Sequence, residues 1–362
     1  EERLVLWPHS LLATASHDTK RGEDVRARIN VLSEMPEEWR SSVVRWSRLN
    51  ASKKSEVDGE PAPDKNDEYL LYQILVGAWP MEPPTPEEFA QFRQRIAAYM
   101  LKATKEAKAH TSWVNPNEEY DAAVESFVLG VLEGDGDSRF LRSLDALQRR
   151  VAFYGRFNSL AQVLLKITSP GVPDIYQGCE LWDLSLVDPD NRRPVDFALR
   201  ASLLRELRGW LDAGGNDRVA LARELLEQAA DGRVKLYVTQ QTLNYRGSHR
   251  DLFERGEYRP LEARGWKGSH VCAFARASEE ETIAVVVPRL IVRLTFGSER
   301  PPLGDEIWGD TWLSMPEGEA GRAYRNVFTG EHLVVGIRDG AAGLLLSAVL
   351  AHFPVALLER LP

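Results

Sequence analysis

A mixed α/β segment that passes into an all-β region is the fold class this sequence predicts, and three observations predict it. Helix-period apolar patterns alternate with short runs of buried-strand character through roughly the first two thirds of the chain. Turn residues punctuate the joins, most densely at Ser169-Pro170-Gly171-Val172-Pro173. From about residue 270 onward, short apolar runs separated by turn residues replace the helical period. A chain of 362 residues exceeds the usual length of one domain, so two or more units are expected.

Residues 4–16 read as a short strand running into a polar turn, and a helix follows with Val25, Ile29 and Leu32 at helical spacing. Pro36 opens a second helix carrying Trp39, Val43, Trp46 and Leu49. The Lys-, Ser-, Asp-, Gly- and Pro-rich stretch 51–66 reads as an exposed, mobile loop. Helices are then expected at 67–78, closed by Pro80, at 87–109, amphipathic through Phe89, Phe92, Ile96 and Met100, and at 117–132. Together they form a helical insertion. A long helix over 138–167 leads to the Pro-Gly turn, and 174–178 resembles a short buried strand ending at Gly178. Two more helices, 196–212 and 217–230, precede strands expected at 271–275, 283–287, 291–296, 333–337 and 344–350. No internal repeat is present.

The formal net charge of -9 and pI near 5.5 argue against a nucleic-acid partner, because neutralising phosphates requires a basic face. Cys179 and Cys272 are far apart, with no second ligand at metal spacing, so neither a disulfide framework nor a zinc site is indicated and a reducing cytoplasm is expected. No apolar stretch has the length needed to span a bilayer, so no membrane partner is expected. The opening Glu1-Glu2-Arg3 is neither a signal peptide nor a starting Met and reads as an interior cut. Walker-type glycine loops, dinucleotide fingerprints and Ser-His-Asp signatures are all missing, and no cofactor is expected. Ten Trp and ten Tyr suit stacking on sugar rings and suit an ordinary core equally well.

Two clusters carry the chemistry. Ser16-His17-Asp18-Thr19-Lys20-Arg21 mixes hydroxyl, imidazole, carboxylate and cationic groups where a strand ends and a helix is about to begin, the place where α/β barrels keep active groups. Asp18 or Thr19 capping that helix is the alternative. The second cluster runs from Glu180, Trp182 and Asp183 to Asp188-Pro189-Asp190-Asn191-Arg192-Arg193-Pro194-Val195-Asp196. Carboxylates and guanidinium groups this close can bind sugar hydroxyls while orienting one another. A salt-bridged Asx-Pro turn explains the same residues. His110, Trp113 and Tyr120 line a groove or belong to the core between helices.

Read together, the clusters resemble the maltooligosyl trehalose synthases of the α-amylase superfamily, in their C-terminal portion. The matching runs are Leu11-Leu12-Ala13-Thr14-Ala15-Ser16-His17-Asp18-Thr19-Lys20-Arg21-Gly22-Glu23-Asp24-Val25-Arg26 and Pro170-Gly171-Val172-Pro173-Asp174-Ile175-Tyr176-Gln177-Gly178, the latter continuing through Leu181-Trp182-Asp183 to Asp196. Asp67-Glu68-Tyr69-Leu70-Leu71-Tyr72-Gln73 and His110-Thr111-Ser112-Trp113 add to the likeness. Beyond Asp196 no motif is as specific.

The resemblance implies the C-terminal part of a (β/α)8 barrel with a helical insertion, followed by a β-sandwich. Residues 1–35 would hold the seventh strand and its helix, 36–135 the insertion, 136–265 the last barrel helix and strand with following helices, and 266–362 the sandwich. It implies a glucosylmutase reaction on a maltooligosaccharide, with Asp18 as the third catalytic carboxylate and His17 on the same sugar. Lys20 and Arg21 would hold the neighbouring glucose, and Asp190, Arg192 and Arg193 the pocket wall. The nucleophilic Asp and general-acid Glu of such enzymes have no matching motif here, so the partner required is the missing N-terminal barrel portion, and the isolated chain is expected to be inactive. A partial barrel leaves strand edges unpaired, so the chain alone is expected to aggregate or to associate with that portion. An α-glucan hydrolase and a non-catalytic glucan-binding fragment are the rival readings.

Overall fold

The computed structural model describes residues 2–134, 138–212, 217–316 and 318–362. The chain divides into two units, one of Glu1–Ser16, Arg156–Asp183 and Pro194–Pro362, the other of His17–Gly155 and Leu184–Arg193. It begins with helix α1 (Glu2–Leu6) and strand β1 (Leu11–Ala13), so the single strand expected over 4–16 is a helical turn followed by three strand residues. An apolar run that short carries no period to separate the two conformations. Helix α2 (Glu23–Val31) opens on Gly22 with no side-chain cap, which assigns the cap position to neither Asp18 nor Thr19.

Helix α3 (Pro36–Asn50) starts on proline, whose missing N–H costs nothing in a first turn. Its inner face buries Trp46 among the rings of Trp39, Tyr72 and Phe140, with centroids 5.4 to 5.8 Å apart and edge-on packing. The stretch expected to be a mobile loop is a hairpin of β2 (Ser55–Val57) and β3 (Glu60–Ala62). Asp58 and Gly59 turn it at φ 54° and 82°, the two-residue turn that an Asp-Gly pair favours. Helix α4 (Lys65–Ala78) is capped by the Asp64 carboxylate, which accepts from the Asp67 N–H at 2.8 Å. Helix α5 (Pro86–Ala107) carries the Thr85–Glu88 capping box, and α6 (Glu118–Val131) is capped by Asn117. Helix α7 (Arg139–Thr168) completes the helical run where the period placed it.

Strand β4 (Val172–Asp174) pairs in parallel with β1, Leu11 opposite Val172 and Ala13 opposite Asp174. Gly171 is required at this approach, because a Cβ would meet the Ser10 carbonyl oxygen and Leu12 Cγ at 2.8 Å. The strand therefore lies ahead of the 174–178 run, whose Gly178 sits at φ 89° outside strand geometry. Helices α8 (Phe197–Asp212), α9 (Arg218–Glu227), α10 (Arg233–Ser248) and α11 (Arg250–Arg255) follow.

The rest of the chain comprises strands β5 (Glu257–Leu261), β6 (Ala263–Arg264), β7 (Val271–Ala277), β8 (Thr282–Pro288), β9 (Trp312–Ser314), β10 (Ala323–Asn326), β11 (His332–Val334), β12 (Gly336–Arg338), β13 (Ala341–Leu345) and β14 (Ala356–Arg360). Short helices α12 (Ile291–Leu294), α13 (Gly304–Trp308) and α14 (Leu346–Val349) interrupt them. One antiparallel sheet runs β11-β10-β14-β8-β7-β5, and a second runs β12-β13-β9-β6. Strand β8 is buried at every residue because both its faces are covered. Ile283, Val285 and Val287 join a core with Leu164, Leu225 and Tyr237 of the helices, while Ala284 and Val286 join another with Leu313 and Leu344 of the smaller sheet.

Three expected strands are not strands throughout: 333–337 divides between β11 and β12 at Val335, and two others turn partly helical. The run 291–296 is α12 and a turn, bracketed by Leu290 and Phe296 at φ 53° and 52°, and 344–350 divides between β13 and α14. Both are apolar runs without alternation, for which helix and strand give the same pattern.

Candidate functional site

Residues 17–21 of the first cluster and 188–193 of the second form one surface in the unit of His17–Gly155 and Leu184–Arg193. Backbone bonds tie them together: the Gly22 N–H donates to the Ser185 carbonyl at 2.7 Å, the Val187 N–H donates to that of Lys20 at 3.1 Å, and Arg21 bridges Leu186. The Asn191 side-chain amide donates to the His17 carbonyl at 2.9 Å. Segment 17–22 is thus held by segment 184–193 along most of its length.

His17 is the pivot. Its Nε2 lies 2.9 Å from Nε and 2.6 Å from Nη2 of Arg192, and its Nδ1 lies 3.1 Å from Asp18 Oδ1. A guanidinium only donates, so Nε2 is the acceptor and the ring proton sits on Nδ1, pointing at Asp18. Arg192 is in turn paired with the Asp188 carboxylate, whose Oδ1 is 3.5 Å from His17 Nε2. The relay Asp188, Arg192, His17, Asp18 fixes the imidazole and leaves the last carboxylate 94% exposed, open to a ligand.

Lys20 and Arg21 line a cleft of about 310 Å³ with Tyr99, Lys102, Glu106 and Val187. Lys20 pairs with Glu106, and the Lys102 ammonium donates to the Asp188 carbonyl at 2.7 Å, joining this cleft to the relay. Burial pushes the Tyr99 phenol above its ordinary value, against the opposing charges of Arg21 and Lys20, so it stays a hydroxyl that can donate.

Asp190 faces away from open solvent. Its carboxylate accepts from Arg95 Nε at 2.7 Å, from Arg95 Nη2 at 2.8 Å and from the Leu186 N–H at 2.8 Å, and Arg193 Nε lies 3.0 Å away. Burial is the largest single influence and pushes its carboxyl up, yet Arg95, Arg193 and the Leu186 N–H together hold it below the usual carboxylate range. Asp190 therefore anchors segment 184–193. Arg193 lines a separate groove of about 580 Å³ with Gln91, Arg93, Gln94 and Arg95.

Because the folded value lies below the unfolded one, the stabilisation from Asp190 is complete above the unfolded carboxylate range and is lost as the pH falls through the folded value. Asp190→Asn is expected to cost about 2 kcal/mol at pH 7, where it leaves the partly buried Arg95 guanidinium against an amide. Thermal melts of the two proteins should converge between neutral pH and pH ~3. An equal gap at both ends would show that the charge is not what holds the segment.

Sequence reasoning named His17, Asp18, Lys20, Arg21, Asp190, Arg192 and Arg193 and missed the helix that supports them. Arg95, Tyr99, Lys102 and Glu106 all project from α5 toward these groups. Their spacing of four, three and four is a helical stripe, legible beside the apolar one through Phe92, Ile96 and Met100. His110 and Tyr120 serve the start of α4: they stack at 4.5 Å, His110 Nε2 lies 3.0 Å from Asp64, and the Tyr120 hydroxyl donates to Asp67 at 2.6 Å. Trp113 is exposed beneath the Lys105 ammonium. Among the described residues no group of three His, Cys, Asp or Glu side chains is placed to hold a metal, and no helix is long and apolar enough to cross a membrane.

No family model matches the chain. A putative maltooligosyl trehalose synthase of Mycobacterium tuberculosis (strain H37Rv) is 36% identical over 316 residues, covering 87% of this chain and 34% of that protein. The solved maltooligosyltrehalose synthase of Arthrobacter ramosus matches 99% of this chain and 40% of its own with 32% identity and a TM-score of 0.77. A hypothetical maltooligosyl trehalose synthase of Sulfolobus tokodaii matches 96% of this chain and 38% of its own with 31% identity and a TM-score of 0.64. The chain thus spans 34 to 40% of the length of these relatives. The likeness extends to sequence and fold alike, at 31 to 36% identity over 87 to 99% of this chain. What the chain matches is one portion of the maltooligosyl trehalose synthases, over 87% of its own length at 36% identity.

Proposed function

We propose that this chain is the C-terminal portion of a maltooligosyl trehalose synthase, a (1→4)-α-D-glucan 1-α-D-glucosylmutase of the cytoplasm. The complete enzyme converts the reducing-end α-1,4 bond of a maltooligosaccharide into an α,α-1,1 bond. The observation that carries this reading is the relay ending on Asp18: two segments far apart in sequence meet to orient one exposed carboxylate, in a chain whose relatives bear that name. In this reading β1 and β4 are the seventh and eighth strands of a (β/α)8 barrel, residues 36–135 are an insertion into it, and 266–362 form a β-sandwich. The missing barrel portion supplies the nucleophilic Asp and the general-acid Glu.

The mechanism divides accordingly. The nucleophile displaces the terminal glucose and forms a glycosyl ester as the acid protonates the leaving oxygen; the released glucose turns, and its anomeric hydroxyl attacks the ester while the acid residue, now a base, takes the proton. Nothing is gained or lost, so the reaction is an isomerisation. Asp18 binds hydroxyls of the distorted sugar and stabilises the positive charge of the oxocarbenium-like transition state. His17 holds that carboxylate through Nδ1–H, while Arg192 and Asp188 hold His17. Lys20, Arg21 and Tyr99 present donors to the neighbouring glucose, and Asp190 and Arg193 keep the wall in place.

Incubation of the full-length enzyme with maltopentaose tests the reading. Reducing ends should disappear without a change in chain length. Accumulation of new reducing ends would assign the enzyme to hydrolysis instead.

A further inference from the structure

An aromatic pair far from this relay in sequence has no role in the reaction above. Trp266 and Phe296 are 79% and 75% exposed, with ring centroids 6.0 Å apart and planes inclined by 37°. The Lys267 ammonium lies 4.6 Å from the first centroid and 4.1 Å from the second, and it donates to the Leu294 carbonyl at 3.1 Å. One cation thus fixes both rings relative to each other and to the backbone. Their loops are built to present them. Trp266 follows Gly265 at φ 101°, whose added Cβ would meet Thr311 Cα at 3.1 Å. Phe296 itself sits at φ 52°, a conformation that a bulky side chain adopts at a cost in backbone strain, and Gly297 continues the turn at φ 75°. A core would hide such rings; here a strained backbone holds one of them in solvent.

The surroundings identify the ligand. Arg264, Ser269, Arg293, Ser298, Glu299 and Arg300, which flank the rings in sequence, are all exposed. Two rings among polar side chains fall far short of the ~800 Å² per partner that a stable protein interface buries. They match a ligand whose rings are themselves two-sided, apolar on the C–H faces and hydroxylated at the rim. The inclination of the planes matches a curved chain, in which successive sugar rings are tilted against each other. We propose that Trp266 and Phe296 form a second glucan-binding platform, on which two glucose units of an α-1,4-linked chain stack while Lys267 and the flanking polar groups bind hydroxyls. The choice of α-glucan rests on the synthase reading; the platform itself rests on the rings.

Native electrophoresis of the full-length enzyme through gels containing soluble amylose, with dextran gels as reference, tests this. Amylose should retard the enzyme and dextran should not. Trp266→Ala and Phe296→Gly should each weaken the retardation about tenfold, while Trp266→Tyr retains most of it. Phe296→Gly also removes the strained side chain, so its melting temperature should be unchanged or higher, separating loss of binding from loss of fold. Undiminished retardation of Trp266→Ala and Phe296→Gly overturns the platform, as does equal retardation in dextran or self-association that these substitutions abolish. Retardation of an enzyme that does not rearrange maltopentaose removes the synthase reading and leaves the platform standing.

Discussion

Asp18→Asn in the full-length enzyme should, on the proposed synthase reading, lower kcat for maltopentaose about 100- to 1,000-fold with little change in KM. The amide has the size of the carboxylate, and its oxygen still accepts from His17 Nδ1–H, so the relay through Arg192 and Asp188 is kept. Hydrogen bonds to neutral sugar hydroxyls are largely kept as well, which is why binding of the ground state changes little. In the proposed mechanism what disappears is a negative charge facing a centre that becomes positive only in the transition state, and a loss confined to that state appears in kcat. Arg192→Ala is the informative companion. It leaves the carboxylate but frees His17 Nε2 from its donor, so imidazole and Asp18 lose their fixed orientation, and a smaller loss of about tenfold is expected. Steady-state rates from the disappearance of reducing ends measure both. Asp18→Asn within threefold of the parent would remove Asp18 from the catalytic centre.

The relay was legible to the extent that its chemistry is local in sequence. His17-Asp18 and Asp188 to Arg193 stand out as polar runs, and the helices from Pro36 to Thr168 announce themselves by period, by proline in the first turn and by the Thr85–Glu88 capping box. The division of labour within the second run was not legible. Nothing in Asp190-Asn191-Arg192-Arg193 says that Asp190 turns inward to Arg95 while Arg192 turns to His17, because that choice depends on where α5 packs. The β-rich region failed for another reason. The runs 291–296 and 344–350 are mostly apolar in sequence whether a position is buried or exposed, as at Phe296 and Leu345, so they show neither the alternation of a half-exposed strand nor the period of a half-exposed helix. Positive φ at Leu290 and Phe296, neither of them glycine, decided the first case against a strand and left no trace in composition.

Buried arginines are the other feature that composition hides, and Arg276 carries the largest stability effect expected. It lies in the interior of β7 with no exposed surface, where a sequence reading places only an apolar residue. Its Nη2 donates to the carbonyls of Leu252 at 3.2 Å, Phe253 at 2.8 Å and Gly256 at 2.9 Å, and its Nη1 to that of Thr168 at 3.4 Å. These carbonyls lie at the C-terminal ends of α11 and α7, that of Leu252 accepting from the Gly256 N–H as well, and a cation there opposes the negative helix ends. Arg28 does the same for α4, donating to the carbonyls of Gly77 at 3.3 Å and Trp79 at 2.5 Å. Burial pulls the Arg276 guanidinium down to about 10, with the charge of Arg246 acting in the same direction, so it remains charged at neutral pH. Arg276→Met keeps the stem and removes the fork, leaving several buried carbonyls without a donor. A loss of about 3–5 kcal/mol is expected, against about 2 kcal/mol for Arg276→Lys, whose single ammonium cannot span the same carbonyls. Urea unfolding followed by circular dichroism should show the midpoint falling with an unchanged slope. A loss below ~1 kcal/mol for Arg276→Met would mean that solvent reaches these carbonyls and that the two helix ends do not depend on the arginine.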